Sequence, residues 1–376
     1  MEFASLARYQ GNGTDLLYHP TPTSNLTYED YYYDDHEEHV VLGKALNIMS
    51  LIVYCLVFVL GVVGNGIVIW VTGFKMKKTV NTVWFLNLAV ADFLFTASLL
   101  LSVAHMAKDC HRSLHFFMCK FNSTRSFLNM FASVYTLVVI SIDRCLTVVC
   151  PIWARNYRSV QKASAVSLGV WVFALMLSSP YFLFWAAASE DVINCFNNFT
   201  LHDVKKTAEV VKLMLHHCAM IITRFLLGFV VPFSIIMSCY AVIIHRLKRN
   251  RSMSGRTGRP FKIIAAVITA FFLCWAPYHI LALLEMYNYM LADLDKTLDL
   301  VITIGFPIAT SLAFLNSCLN PLLYVFMSQD FKENIQESIL KALEAAFTEE
   351  VSRTNTWKNS VLSSRGKEKS FSDAEV

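Results

Sequence analysis

Six charged side chains stand in stretches of this sequence that are otherwise almost wholly apolar: Asp92 in "LNLAVADFLF", Arg125 in "FNSTRSFLNMF", Asp143 and Arg144 in "VVISIDRCLTVV", Arg224 in "MIITRFLLGF" and Glu285 in "ILALLEMYNYM". A charge in hydrocarbon costs roughly 2.5–3.5 kcal/mol even on lenient insertion scales, and such residues mark binding or switching sites. Asp92 has polar company in similar surroundings: Asn65, Asn129, Ser133, Asn316 and Asn320. Hard cations take oxygen ligands, so this set either holds a sodium ion or forms an interhelical hydrogen-bond cluster without one. The otherwise unbalanced charge of Asp92 favours the ion. Arg224 lies about two turns before Pro232 and Glu285 about two turns after Pro277. With Arg125 and Tyr278 they form a candidate ligand set. An arginine this deep takes an anionic partner, supplied from within the protein or by the carboxylate of a ligand.

These residues are carried by long apolar runs. Of the 376 residues 55% are hydrophobic and 16% charged, with a mean hydropathy of +0.47. Soluble domains have about 45–50% apolar and about 25% charged residues, so this composition belongs to a membrane. Crossing about 30 Å of hydrocarbon takes about 20 apolar residues, and seven runs are long enough, near 45–73, 80–107, 117–149, 162–186, 213–246, 259–287 and 299–326. The predicted fold is an all-α bundle of seven transmembrane helices over 44–327, preceded by a tail over 1–43. After it, Phe331, Ile335 and Ile339 share one face of a short amphipathic helix over 328–342, read as lying on the membrane lipid, and 343–376 form a Ser/Thr-rich tail. Pro232, Pro277 and Pro321 fall inside helices, where each frees a carbonyl and provides a hinge.

Basic residues near helix ends mark the cytoplasmic side. Lys75, Lys77 and Lys78, then Arg155, Arg158 and Lys162, then seven Lys or Arg in "HRLKRNRSMSGRTGRPFK" all fall on one side. The N-terminus is then extracellular, together with the glycosylation sequons at Asn12, Asn25 and Asn198, and the chain is a multi-pass protein of the plasma membrane. A fourth sequon, at Asn122, falls within or beside the third run and is not expected to be used. The first 40 residues lack an apolar core, so the first run serves as the signal anchor. Cys119 and Cys195 both lie in the oxidising compartment, where a disulfide would pin the loop after the fourth helix over the bundle. Cys110 and Cys218 are either a second bridge or free thiols. "YEDYYYDDHEEH", residues 28–39, is too polar to fold alone and is read as disordered, either a solvated tail or an arm for a basic ligand.

Other classes fit poorly. The seventh run has no lysine for a retinal Schiff base, and no repeats or file of charges suggest a transporter. His216 and His217 lack a third ligand and a nearby base, and no nucleophile motif occurs, so neither an enzyme nor a resident metal beyond sodium is expected. Nor is nucleic acid an expected partner.

The ordered set "GN" (Asn65), "LAVAD" (Asp92), "DRC" (Asp143, Arg144), Trp171, Pro232 with Tyr240, "CWAP" (Trp275, Pro277) and "NPLLY" (Asn320, Pro321, Tyr324) resembles the rhodopsin-like family of G-protein-coupled receptors. The resemblance implies that Asp143 restrains Arg144 at rest. Outward movement of the sixth helix then frees Arg144 for a G protein, as Tyr240 and Tyr324 swing inward about the hinges near Trp275, Pro277 and Pro321. Where many relatives place an acidic partner for that arginine on the sixth helix, this chain has Thr257 and basic neighbours, so a second restraint is not expected. "FKMKKTVNTVWFLNLAVADFLF", "CFNNFTL" and "RPFKIIAAVITAFFLCWAPYH" are similar to the chemerin receptors of the chemoattractant group. That similarity implies a chemerin-like protein whose C-terminal peptide enters the bundle, and signalling through an inhibitory G protein and arrestin. It also implies a second ligand class, carboxylate lipid mediators such as resolvin E1. Another chemoattractant peptide receptor, or a weakly coupling decoy, is the alternative, and the intact Asp143–Arg144 pair argues against the decoy.

Overall fold

A computed structural model of the chain describes residues 29–106, 112–183, 207–249, 258–291 and 296–327. The described residues form helices α1 (Glu29–Trp70), α2 (Val80–Met106), α3 (Arg112–Val149), α4 (Pro151–Tyr157), α5 (Val160–Leu183), α6 (Thr207–Phe225), α7 (Val231–Arg249), α8 (Gly258–Met290) and α9 (Lys296–Met327). A π-helical turn, Val71–Lys75, ends α1, and another, Leu226–Val230, joins α6 to α7 into one rod. Seven rods are long and apolar enough to span a membrane: α1, α2, α3, α5, α6–α7, α8 and α9. α4 links α3 to α5.

The bundle is apolar on its outer surface as well as through most of its core. Along α1, Ile48, Ile52, Leu56 and Leu60, spaced by four residues, face outward and are more than half exposed, a stripe that only lipid can cover. The buried positions instead include Asn65, Asp92, Asn129, Ser133, Asn316, Ser317 and Asn320. α1 packs on α2 and α9, α3 on α2, α5 and α7, and α9 on α8. Lipid offers no hydrophobic drive to bring helices together, so close approach through small residues does that work. At Gly61 of α1 a Cβ would stand 2.4 Å from Thr96 Cγ2 and 2.7 Å from Thr96 Cβ.

Pro232, which has no N–H to donate, lies two residues after the π turn that joins α6 to α7. Tyr135 of α3 donates its hydroxyl to the Leu227 carbonyl at 2.9 Å within that turn. Pro180 and Pro307 also lie inside helices, two breaks beyond those anticipated at Pro277 and Pro321.

The acidic stretch was expected to be unfolded, yet α1 begins at Glu29, so residues 29–39 are its first three turns. Asn122 lies inside α3. Cys218 is a buried free thiol, so the alternative of a bridge to Cys110 does not form. Asn12, Asn25, Asn198, Cys195 and Thr257, the amphipathic helix and the Ser/Thr tail lie outside the described residues, as do the side chains of Cys119 and Tyr324.

The Gly61 contact gives a direct test. Gly61→Val should destabilise the purified protein by about 1–3 kcal/mol through overpacking, read as a lower melting temperature in detergent. Thr96→Ala in the same chain should restore part of the loss.

Candidate functional site

Midway along the bundle, the apolar faces of α2, α3 and α9 are interrupted by a polar layer. Asp92 is completely buried, and one of its oxygens accepts a 2.7 Å hydrogen bond from Asn320 Nδ2. Ser317 and Asn129 lie close to the same carboxylate, and Asn129 Nδ2 donates to Ser317 Oγ at 3.0 Å. Asn65 of α1 ties into the layer by donating to the Ser317 carbonyl at 2.8 Å. Asp92 Oδ1, Asn129 Oδ1, Ser133 Oγ, Asn316 Oδ1 and Asn320 Oδ1 remain buried and unpartnered. A set of orphaned oxygens around a carboxylate is what a sodium ion would take as ligands, so the residues present fit that cation. Ser317 was missed at the sequence level because a serine inside a long apolar helix carries no signal of its own.

At the end of the bundle that carries Arg144, the geometry differs from the expected direct latch. Asp143 and Arg144 only reach the outer limit of an ion pair, Nε to Oδ2 at 4.0 Å. Asp143 is instead gripped in bidentate fashion by Arg158, from the segment between α4 and α5, with Nε–Oδ1 at 2.8 Å and Nη2–Oδ2 at 2.9 Å. Planar guanidinium and carboxylate forks match in this way. Arg144 donates Nη2 to Asn81 Oδ1 at the start of α2, and Arg158 Nη2 donates to the same oxygen at 2.5 Å. Adjacent residues on a helix point about 100° apart, which turns Arg144 toward α2 and leaves Asp143 to the loop arginine. A second restraint on Arg144, not expected from the sequence, is therefore present, and it comes from α2 instead of the sixth spanning helix. Tyr240 of α7 lies near Arg144, and its hydroxyl is buried without a partner.

At the opposite end, Arg224 is 2% exposed. Its guanidinium carbon stands 4.7 Å from the Phe127 ring centroid and 5.0 Å from that of Tyr278, a cation held between aromatic faces. Among the described residues no carboxylate pairs with it, and its Nε is unpartnered. Tyr278 is buried, and Glu285, two turns further along α8, is near enough to act on it electrostatically. Arg125 faces elsewhere: it donates Nη1 to Ser98 Oγ of α2 at 2.7 Å and lies over the Phe95 ring at 5.4 Å. The structure thus brings together Arg224, Tyr278 and Glu285 but sends Arg125 toward α2. Beneath Tyr278, Trp275 is 5.9 Å away ring to ring, and Phe271 a further 6.2 Å from Trp275. His279, buried beside Trp275 with Nε2 unpartnered, belongs to the same floor. Its place one residue after Tyr278 in "APYH" is the signal that could have found it.

A polar core with unpartnered oxygens, a charged network at one mouth and a buried cation at the other thus lie within a bundle of seven helices long and apolar enough to span a membrane. Comparison with known proteins agrees. The family described as "7 transmembrane receptor (rhodopsin family)" matches residues 64–324. Chemerin-like receptor 1 of Sus scrofa is 44% identical over 323 residues, covering 82% of this chain and 87% of the relative. The C3a anaphylatoxin chemotactic receptor of Danio rerio is 42% identical over 325 residues, 86% and 84% of the two chains. Formyl peptide receptor 2 of Mus musculus is 39% identical over 322 residues, 84% and 89%. The chain belongs to the rhodopsin family of seven-transmembrane receptors, and it is a G-protein-coupled receptor rather than an enzyme.

The loop arginine makes a measurable claim. In double-mutant cycles on thermal stability, Asp143→Asn with Arg158→Ala should show a coupling of about 1–2 kcal/mol, the lower range for a charge-assisted pair that is partly exposed. Asp143→Asn with Arg144→Ala should show less.

Proposed function

We propose that this protein is a receptor for a chemerin-like protein ligand, whose C-terminal carboxylate enters the bundle and pairs with Arg224. The observation that carries the reading is the state of that arginine: 98% buried, caged by Phe127 and Tyr278, and lacking an acid among the described residues. A buried guanidinium gains most from a carboxylate brought into the same dry site. The ligand class is supported by the relatives, whose names refer to chemerin, the C3a anaphylatoxin and formyl peptide. Glu285 and Tyr278 would line the path of the peptide, with Arg125 at its α2 side. A carboxylate lipid such as resolvin E1 presents the same anion and is the second ligand class.

The N-terminus is extracellular and the Arg144 end cytoplasmic, supported by the basic residues at 75–78, 155–162 and 245–262. The chain works at the plasma membrane, with an inhibitory G protein and arrestin, implied by the resemblance to the chemoattractant receptors, as its transducers. Ligand seated above Tyr278 acts through Trp275 on α8, whose Pro277 serves as hinge. Arg144 then leaves Asn81 to meet the G protein, while Tyr240 and Tyr324 turn inward and α9 flexes at Pro321. A sodium ion among Asp92, Asn129, Ser133, Asn316 and Asn320 holds α2, α3 and α9 in the resting arrangement. A disulfide from Cys119 to Cys195, glycans on Asn12, Asn25 and Asn198, and a lipid-bound helix over 328–342 complete the receptor.

Two experiments test this. Arg224→Ala should lower potency for inhibition of cAMP by a chemerin C-terminal peptide by about a hundredfold, as loss of one buried charge pair of about 3 kcal/mol requires, at equal surface expression. A peptide amidated at its C-terminus should show the same loss on the unaltered receptor, and an unchanged dose–response curve in either case refutes the role. Asp92→Asn should abolish the decrease in agonist affinity that sodium produces. Equal sodium dependence in both forms would remove the ion from the mechanism.

A further inference from the structure

Two thiols meet across the seam between α3 and α7. Cys145 follows Arg144 on α3, and Cys239 precedes Tyr240 on α7. The Cys239 thiol interacts with the Cys145 thiol at hydrogen-bonding range. Both cysteines are free, and both are partly accessible. The other free cysteines among the described residues differ in setting: Cys218, Cys274 and Cys318 are buried, while Cys55 and Cys150 are exposed. Cys150 lies at the same end of α3, five residues beyond Cys145, and serves below as an internal control.

The seam has two parts. Toward Arg224 it is tightly fixed: Tyr135 donates to the Leu227 carbonyl at 2.9 Å, and Gly228 lies so close to Met130 that a Cβ there would stand 2.7 Å from Met130 Cε. Toward the other end, Cys145 meets Cys239 and Arg144 lies near Tyr240, whose buried hydroxyl has no partner. The contacts around Leu227 and Gly228 therefore act as the pivot of the rod, and the thiols sit beside the charged network at its moving end. A covalent link at that point fixes the distance between Tyr240 and Arg144, because each is the chain neighbour of a bridged residue.

We propose that Cys145 and Cys239 form a reversible disulfide, with hydrogen peroxide as oxidant, which staples α7 to α3 and silences the receptor. One sulfur, as its thiolate, attacks a peroxide oxygen; the S–O bond forms, the O–O bond breaks and hydroxide leaves. The other sulfur then displaces water from the sulfenic acid and the S–S bond closes. Two thiols have lost two electrons and two protons, and the peroxide has become two waters. Glutathione reverses the bond by thiol exchange through a mixed disulfide, and a second glutathione restores the last thiol and leaves as oxidised glutathione. Disulfides on the cytosolic side of a cell are transient and redox-sensing in this way. The consequence for signalling rests on the reading of the Arg144 end as the face that meets the G protein; formation of the bond does not.

The test treats the full-length receptor in detergent with graded hydrogen peroxide, removes the excess with catalase, caps free thiols with N-ethylmaleimide and maps the peptides by mass spectrometry. Nucleotide exchange on an inhibitory G protein added after the catalase is measured in parallel on uncapped receptor, both basal and with a chemerin C-terminal peptide. Expected are a cross-linked peptide joining Cys145 to Cys239, formed at doses no higher than those that oxidise Cys150, and a loss of exchange in proportion to it. Glutathione should restore both. Cys239→Ser and Cys145→Ser should each keep exchange under peroxide, whereas Cys150→Ser should remain sensitive. Oxidation of Cys150 without the cross-link overturns the proposal, as does a cross-linked receptor with undiminished exchange, or a loss of exchange that persists in both Cys239→Ser and Cys145→Ser. Failure of the chemerin peptide to stimulate the reduced receptor counts against the proposed ligand alone, because the peptide map and basal exchange still score the bridge.

Discussion

Hydrocarbon has no hydrogen bonds to offer, and that constraint organises the whole molecule. Every polar group in the spanning segments must find a partner inside the bundle or remain unpaired at a cost of several kcal/mol. Backbone groups meet the requirement by forming seven helices. Side chains meet it by gathering in one layer, where Asn65, Asp92, Asn129, Ser317 and Asn320 bind to each other across four helices. The layer is tied together through Ser317, whose hydroxyl accepts from α3 and whose carbonyl accepts from α1. Because that layer leaves several oxygens unanswered, it is also the place where a cation would change the relative stability of helix arrangements.

The same requirement shapes the helices themselves. Pro232 would strand carbonyls in a straight helix, and the π turn before it together with the Tyr135 hydroxyl accommodates them. Gly228, in that turn, admits the Met130 side chain, which a Cβ would meet at 2.7 Å. A local backbone irregularity thus becomes an interhelical contact between α3 and the α6–α7 rod, just below the cage around Arg224.

Between the two mouths runs a column of rings on α8. Tyr278 touches the Arg224 cage, Trp275 lies beneath it, and Phe271 continues toward the other end. Packed aromatic side chains do not deform gradually, so a shift at Tyr278 is passed on as a change of packing. At the far end Asp143 and Arg144 are not closed on each other: Arg158 occupies Asp143, and Asn81 accepts from Arg144. Arg144 is held by one neutral acceptor, a weaker hold than a direct ion pair and easier to exchange for a partner protein.

The sequence alone determined the number and placement of the spanning helices, since run length and hydropathy are set residue by residue against a bilayer of fixed thickness. It also determined which residues are chemically unusual, because Asp92, Asp143, Arg144, Arg224 and Glu285 are conspicuous in apolar surroundings. It did not reveal Ser317, Asn81 or Arg158, whose residue types are ordinary in helices and loops and gain meaning only from partners 15 to 252 positions away in the sequence. It grouped Arg125 with Arg224, but not their partners: Arg125 donates to Ser98 of α2, and Arg224 lies against Phe127. It read residues 29–39 as too charged to be ordered, while the start of a long helix accommodates them. Pairing and direction depend on how helices rotate about their axes, and that rotation is fixed by contacts such as Gly61 on Thr96, which only the packed bundle contains.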